Sequence, residues 1–289
     1  MKVSGFAFIR NAIKYDFPIV EAIKSILPLC DDFYIAVGDS EDNTLELIRS
    51  IDPKIKIRET RWDEDLLEGG RVFAVETTKA FEMIPEDTDW CFCIQADEAL
   101  HEKYHNTVLE AMHTWKDDPE VDGLLLNYLH FYGSYEYTTP APRWYRREIR
   151  IIKNNPSIHP YRDSQGFRKD KNKKLNVKHI EAWMYHYSMV KHPKLQYKKL
   201  KFTLKSIYND NSLEQNKKQE EFYDYESAEI LEKFVGTHPA VLKERMENVD
   251  WEFNPDISIN RLSLKNKFRL WSLKHFNYIP WEYRNYKII

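Results

Sequence analysis

Between residues 3 and 94 the sequence switches repeatedly between two hydrophobic periods, and this alternation restricts the fold more than any other feature of the chain. Residues 3–9, 33–37 and 90–94 are short apolar runs closed by turn residues, the last of them as in a strand buried on both faces, and residues 55–59 read as a further short strand. Between them, residues 18–29, 45–51 and 69–84 place apolar side chains at helical spacing: Ile19, Val20, Ile23, Ile26 and Leu27 in the first, and Val72, Phe73, Val75, Ala80, Phe81 and Ile84 in the third. Pro18 suits a first helical turn. Strand–helix alternation of this kind predicts an α/β fold, a mainly parallel sheet flanked by helices.

Of the 289 residues, 42% are hydrophobic and 31% charged, which supplies a core and excludes global disorder. The formal charge of -3 carries no signature of nucleic-acid binding. Cys30, Cys91 and Cys93 have no metal-ligand spacing and read as small core residues of a reducing compartment. No signal-peptide core is visible at the start, and no run approaches the roughly 18 apolar residues of a membrane span. The expectation is a cytoplasmic protein.

The run Trp90-Cys91-Phe92-Cys93-Ile94-Gln95-Ala96-Asp97-Glu98-Ala99 ends abruptly in two acids. At the carboxyl edge of a parallel sheet, where open α/β sheets bind ligands, carboxylates can grip a divalent cation that in turn grips phosphate. The alternative is a strand closing on a solvated acidic turn. Gly69-Gly70-Arg71 opens the third helix, whose free N–H groups and Arg71 suit phosphate, or mark a plain helix start.

Beyond residue 100 the pattern loosens. Residues 101–115 read as a helix, 122–131 and 146–153 as strands, and 133–145 between them as a long loop rich in aromatics and proline, a type usually functional. Residues 175–180 and 182–187 read as two more strands, the second carrying His186. Arg143, Arg146, Arg147 and Arg150 cluster where one or two of them suit a pyrophosphate. Residues 1–192 form one expected domain and 193–289 a mainly helical extension, with helices expected at 195–208, 215–234 and 239–249. The tail 261–289 interleaves Lys265, Lys267, Arg269 and Lys274 with Phe268, Trp271 and Phe276. Two readings stand: a helix lying on an anionic membrane, or one packed back on the domain with its lysines in water.

In the order Phe8-Ile9-Arg10-Asn11-Ala12, Ile26-Leu27-Pro28-Leu29-Cys30-Asp31, Asp39-Ser40-Glu41-Asp42-Asn43-Thr44 and Gln95-Ala96-Asp97-Glu98, the chain resembles the family 2 glycosyltransferases of GT-A fold, in particular bacterial lipooligosaccharide-core glucosyltransferase-like enzymes. The resemblance runs from residue 1 to about 190. It implies a metal-dependent, inverting transfer from a nucleotide-diphosphate sugar, with UDP the expected nucleotide, to a glycan or glycolipid hydroxyl. Phe8, Arg10 and Asn11 are then expected to line the nucleotide, with Asp39 and Ser40 at the base and ribose and Gln95 and Ala96 beside them. Asp97 and His186 are the expected ligands of Mn2+ or Mg2+, and Asp163 the expected base, with Glu181 in reserve. The family's first metal-motif acid is Gln95 here, and its usual acid pair before the serine is reduced to Asp39. A sugar nucleotidyltransferase and a non-catalytic scaffold of the same fold are the rivals; the absence of glycine in Arg10-Asn11-Ala12-Ile13 argues against the former.

Overall fold

The computed structural model describes residues 1–66, 68–164, 166–207 and 221–289. Its first half follows the alternation. Strands β1 (Val3–Ile9), β2 (Asp32–Gly38), β3 (Ile55–Thr60) and β4 (Trp90–Cys93) lie in the order β3-β2-β1-β4, all parallel. Helices α1 (Ile19–Ile26), α2 (Thr44–Arg49) and α3 (Arg71–Phe81) connect them.

Side-chain alternation gives β1, β2 and β4 two apolar faces, whereas β3 at the sheet edge alternates half-buried Ile55 and Ile57 with exposed Lys56 and Arg58. Ala7, Ile9, Phe33, Ile35, Trp90 and Phe92 join one core with Ile19, Ile23 and Ile26 of α1. Phe6, Tyr34, Ala36, Cys91 and Cys93 point the other way, toward Ala80 of α3. All three cysteines are buried and unbridged. Helix α4 (His105–Trp115) adds Val108 and Met112 to the first core.

After β4 the sheet becomes mixed. β5 (Glu98–Leu100), β6 (Gly123–Tyr132), β7 (Ser134–Thr138), β8 (Arg147–Lys153), β9 (Ile158–Pro160) and β10 (Phe167–Lys169) lead to the long strand β11 (Lys173–Met189). β8 is antiparallel to both β4 and β6, whereas β11 runs parallel to β6 and antiparallel to β5. The expected loop 133–145 therefore begins with a strand. The two strands expected at 175–180 and 182–187 are one: Glu181 is a single exposed position where the pairing slips between His179 and Trp183, and the strand continues through it.

The extension begins with α5 (Pro193–Ile207). The helix expected at 215–234 lies partly outside the described residues, and 221–234 contain no α-helix: a short turn at Tyr225–Ser227 leads to β12 (Glu232–Lys233), which pairs with β7. One tight turn and the short α6 (Lys243–Glu247) stand where 239–249 were expected. Helix α7 (Leu264–Phe276) starts on Ser263, whose hydroxyl accepts from Asn266 N–H, and ends on Asn277 in the left-handed conformation. Leu262 and Leu270 pack it back on Ala141 and Trp144. β13 (Tyr286–Ile288) then joins β11 in parallel. Among the described residues no helix is long and apolar enough to cross a membrane.

Candidate active site

Because β1, β2 and β4 are parallel, the turns after them all emerge at one edge of the sheet. A cavity of about 740 Å³ opens there. Its lining includes Phe8, Arg10, Asn11, Gln95, Ala96, Asp97, Asp163 and His186, which come from four separate stretches of sequence.

At one end the walls are aromatic. Phe8 and Phe73 stack with centroids 5.6 Å apart, and Trp62 stands edge-on to Phe73 at 5.7 Å. The Arg10 guanidinium lies 5.2 Å from the Trp62 ring. Gly38 is needed there, since a Cβ would meet Trp62 Nε1 at 2.4 Å. Asp39 and Ser40 do not line the cavity; they hold it from behind. Arg10 Nε donates to the Asp39 carbonyl (2.9 Å), and Asp39 Oδ1 accepts from Trp62 N–H (3.3 Å). Ser40 Oγ accepts from Asn11 N–H (3.0 Å), while Asn11 Oδ1 accepts from Glu41 N–H (2.7 Å). Asn11 is buried with φ 54°, a conformation asparagine tolerates and this double tie fixes. Arg71 also lies outside the lining, on the exposed side of the first turn of α3.

The two acids after β4 part company. Glu98 is fully buried and takes Arg150 in a two-pronged ion pair, Nη2 to Oε1 at 2.7 Å and Nε to Oε2 at 2.9 Å. It also accepts from Tyr128 OH (2.7 Å) and Gln95 N–H (3.0 Å). The expectation that both acids emerge at the sheet edge is corrected: Glu98 closes the turn from inside. Only Asp97 faces the cavity, with Lys199 of α5 3.1 Å from Oδ2 and His186 Nε2 3.7 Å from Oδ1. Burial pushes the Asp97 pKa up, but the pull of Lys199, joined by His186 and Lys191, outweighs it and holds the carboxyl well below its usual range.

The strand register sets the His186 proton. His186 pairs with His130 across β11 and β6, and their Nδ1 atoms are 2.8 Å apart. His130 Nε2 lies 2.6 Å from the Tyr145 carbonyl. A carbonyl only accepts, so this nitrogen carries the hydrogen. His130 is neutral, its pKa lowered to about 3 by burial and then by His186, so its Nδ1 accepts. His186 Nδ1 must donate, which leaves His186 Nε2 as a lone pair toward Asp97. Burial lowers the His186 pKa too, against the pull of Asp97. A lone pair and a carboxylate facing each other across 3.7 Å suit a shared cation, with the second ring nitrogen fixed as is usual for ligand histidines. These two residues fit a divalent ion as a two-ligand site. Among the described residues no group of three or more His, Cys, Asp or Glu gathers as a metal cage, so oxygens from elsewhere must complete the shell.

Asp163 sits in a turn held against β4: Gln95 Nε2 donates to the Ser164 carbonyl (3.5 Å), and Ser164 Oγ lies 2.9 Å from Thr77 Oγ1. Arg162 and Ser164 have positive φ (54° and 67°), strained for residues with a Cβ and of the kind found at functional sites, and Gly166 (94°) takes the same region without strain. Glu181, the reserve base, is exposed on β11 outside this cavity, where it meets His179 at 3.6 Å. Trp183 lines a smaller neighbouring hollow of about 320 Å³, which shares Trp144 and Tyr145 with the main cavity. Of the four arginines, Arg150 is committed to Glu98, Arg146 to Glu282 (2.9 Å), Arg143 to Glu229 (3.3 Å), and Arg147 Nε donates to Asn127 (3.1 Å).

Two site residues escaped sequence reasoning. Lys199 lies in the extension, past the end of any motif. Glu148 lines the cavity from β8, buried; its Oε2 has no hydrogen-bond partner among the described residues. Burial pushes its pKa up to about 8 against the pull of Arg150. Its signal was an acid between Arg147 and Ile149, at the head of a run read as a strand and for its arginines.

No protein-family model matches the sequence, and no curated protein matches it. Among solved structures the chain is similar to S. aureus TarS, with 15% identity over 73% of this chain and 40% of that one and a TM-score of 0.39. For TarS 1-349 in complex with UDP the values are 14%, 73%, 67% and 0.39. For glucosyl-3-phosphoglycerate synthase from Mycobacterium tuberculosis in complex with Mg2+ and UDP they are 15%, 45%, 43% and 0.29. The chain thus spans less than half the length of TarS.

Proposed function

We propose that this protein is a GT-A-type glycosyltransferase that moves a sugar, with inversion, from a nucleotide-diphosphate donor to a hydroxyl of a glycan or glycolipid. A UDP-sugar is the donor in this reading. The observation that carries it is the single cavity shared by Phe8, Arg10, Asn11, Gln95, Ala96, Asp97, Asp163 and His186. Residues 1–192 supply the chemistry, and 193–289 close over it and contribute Lys199. Three buried, unbridged cysteines favour a cytoplasmic setting.

The Phe8–Trp62–Phe73 wall gives a nucleobase a stacking surface, with Arg10 and Asn11 at its rim. Asp97 and His186 would hold Mn2+ or Mg2+, which when bound neutralises charge on the leaving diphosphate. Lys199, now on Asp97, brings a second positive charge within reach of the same phosphates. Asp163 takes the proton of the attacking hydroxyl in a single displacement, so no enzyme nucleophile is required. Trp144 and Tyr145 form the acceptor wall.

The test is product analysis with a panel of nucleotide sugars and Mn2+. Free nucleoside diphosphate together with glycosylated product is expected. Pyrophosphate would mean nucleotidyl transfer, and no turnover with intact nucleotide binding would mean a scaffold. Asp163→Asn is expected to lower turnover about a hundred- to ten-thousand-fold while UDP binding is unchanged; full turnover in that variant removes Asp163 from the role of base.

A further inference from the structure

We infer that helix α7 and the turn after it seat the protein on an anionic phospholipid surface, so that the cavity takes its acceptor from that surface as a lipid-linked glycan. The argument begins with the two faces of α7. Leu262 and Leu270 are spent against Ala141 and Trp144. On the opposite side Leu264, Phe268, Trp271 and His275 follow at spacings of four, three and four, a single outward stripe. Leu264 is 85% exposed and Phe268 and Trp271 about half exposed. Phe268 stacks on Trp271 at 5.9 Å, and Trp271 meets His275 at 5.1 Å. A helix apolar on both sides needs a second thing to cover it.

Charge identifies what covers it. Residues 261–281 hold Arg261, Lys265, Lys267, Arg269 and Lys274 and no acid, in a chain whose net charge is -3. Lys265 and Lys267 lie on either side of the stripe, both exposed. Aromatic rings flanked by lysine stems match the boundary between acyl chains and anionic headgroups. A second copy of the chain fits poorly, because a two-fold contact through this stripe would set two basic segments without an acid against each other.

The patch also adjoins the site. Arg269 and Trp281 line the main cavity, and Trp281 is 75% exposed, with Lys265 Nζ 5.8 Å from its ring. A bilayer touching the stripe therefore lies beside the cavity mouth, where a soluble sugar gains nothing from the contact but a lipid-borne one is concentrated. The acceptor half of this inference rests on the glycosyl-transfer reading; the docking half stands without it.

The experiment is co-sedimentation of the full chain with vesicles of phosphatidylcholine alone or with about 30% phosphatidylglycerol. The native protein is expected to bind the anionic vesicles at least tenfold better and to be released by high salt. The double variants F268S/W271S and K265E/K267E are expected to lose that binding while keeping the native melting temperature and UDP affinity. Absence of native binding, or unchanged binding in both variants, overturns the docking. So does light scattering that shows a dimer which F268S/W271S dissociates, since a second copy then covers the stripe. Vesicle binding without UDP binding leaves the docking in place and removes the glycosyl-transfer reading. If UDP binds and transfer to a soluble acceptor equals transfer to a vesicle-borne one, the acceptor class is wrong.

Discussion

Glu148 and Asp163 are two carboxyls in one cavity with different environments. Asp163 contributes to holding the Glu148 pKa up, after burial and Glu98, against Arg150. Glu148 therefore carries its proton through neutral pH and offers a hydroxyl donor, where a glutamine offers an amide donor of similar shape. Glu148→Gln is expected to leave turnover near its native value at pH 7. In that reading the native protein is expected to change rate through about pH 8 as Glu148 ionises, and the variant is not. A pH–rate profile of both proteins checks this. Loss of turnover at pH 7 in the variant would instead make Glu148 the base. Separation of the two roles was not legible in the sequence. Asp163 was reached through the family resemblance, whereas Glu148 becomes unusual only once β8 is packed between β4 and β6 and its water is gone.

Among the elements, the link between β5 and β8 holds the site's geometry. Glu98 and Arg150 are both essentially unexposed, and their pairing fixes the turn that aims Asp97. A buried pair of this kind adds little net stability over apolar residues, but removing one partner strands the other charge. Glu98→Ala is expected to cost about 3–5 kcal/mol. The double variant Glu98→Leu/Arg150→Met is expected to recover most of that while still losing donor binding, because Asp97 is no longer aimed. Chemical denaturation of the three proteins measures the difference. The parallel half of the sheet was legible because β1, β2 and β4 are apolar on both faces and the helices between the strands carry a 3.6-residue period. The second half was not. β11 runs through Glu181, so its continuity comes from pairing with β6 rather than from composition, and no periodicity marks which side of the chain a strand such as β13 will return to. The residues that the sequence motifs singled out at the ends of β1 and β4 line the cavity. Asp39 and Ser40 stand behind that lining, since a motif records that two loops meet and leaves open which of them faces the cavity.

At the scale of the whole molecule, two histidines tie the extension and the site to the sheet in the same way. His238, from the extension, has Nε2 3.0 Å from the Tyr135 carbonyl of β7 and Nδ1 2.9 Å from Tyr187 OH of β11. Like His130, it must donate to the carbonyl and accept at the other nitrogen, so it too is bound in its neutral form. Burial lowers its pKa to about 4, and that of His130 to about 3. Both lie below the value of about 6.5 expected in the unfolded chain. Between those values the unfolded chain binds more protons than the folded one, so stability rises with pH there and is lost as pH falls from about 6.5 through the folded pKa values. Glu148 works in the opposite sense: with its folded pKa up at about 8, its contribution is fully present below its unfolded value and declines as pH rises through 8. A melting-temperature series is therefore expected to fall on the acid side below pH 6.5, and to show between there and about pH 8 a shallow decline with rising pH that Glu148→Gln removes. His238→Gln, which keeps an amide donor for the Tyr135 carbonyl and an oxygen acceptor for Tyr187, is expected to flatten part of the acid limb. If that variant melts along the native curve down to pH 4, protonation of His238 does not loosen the extension.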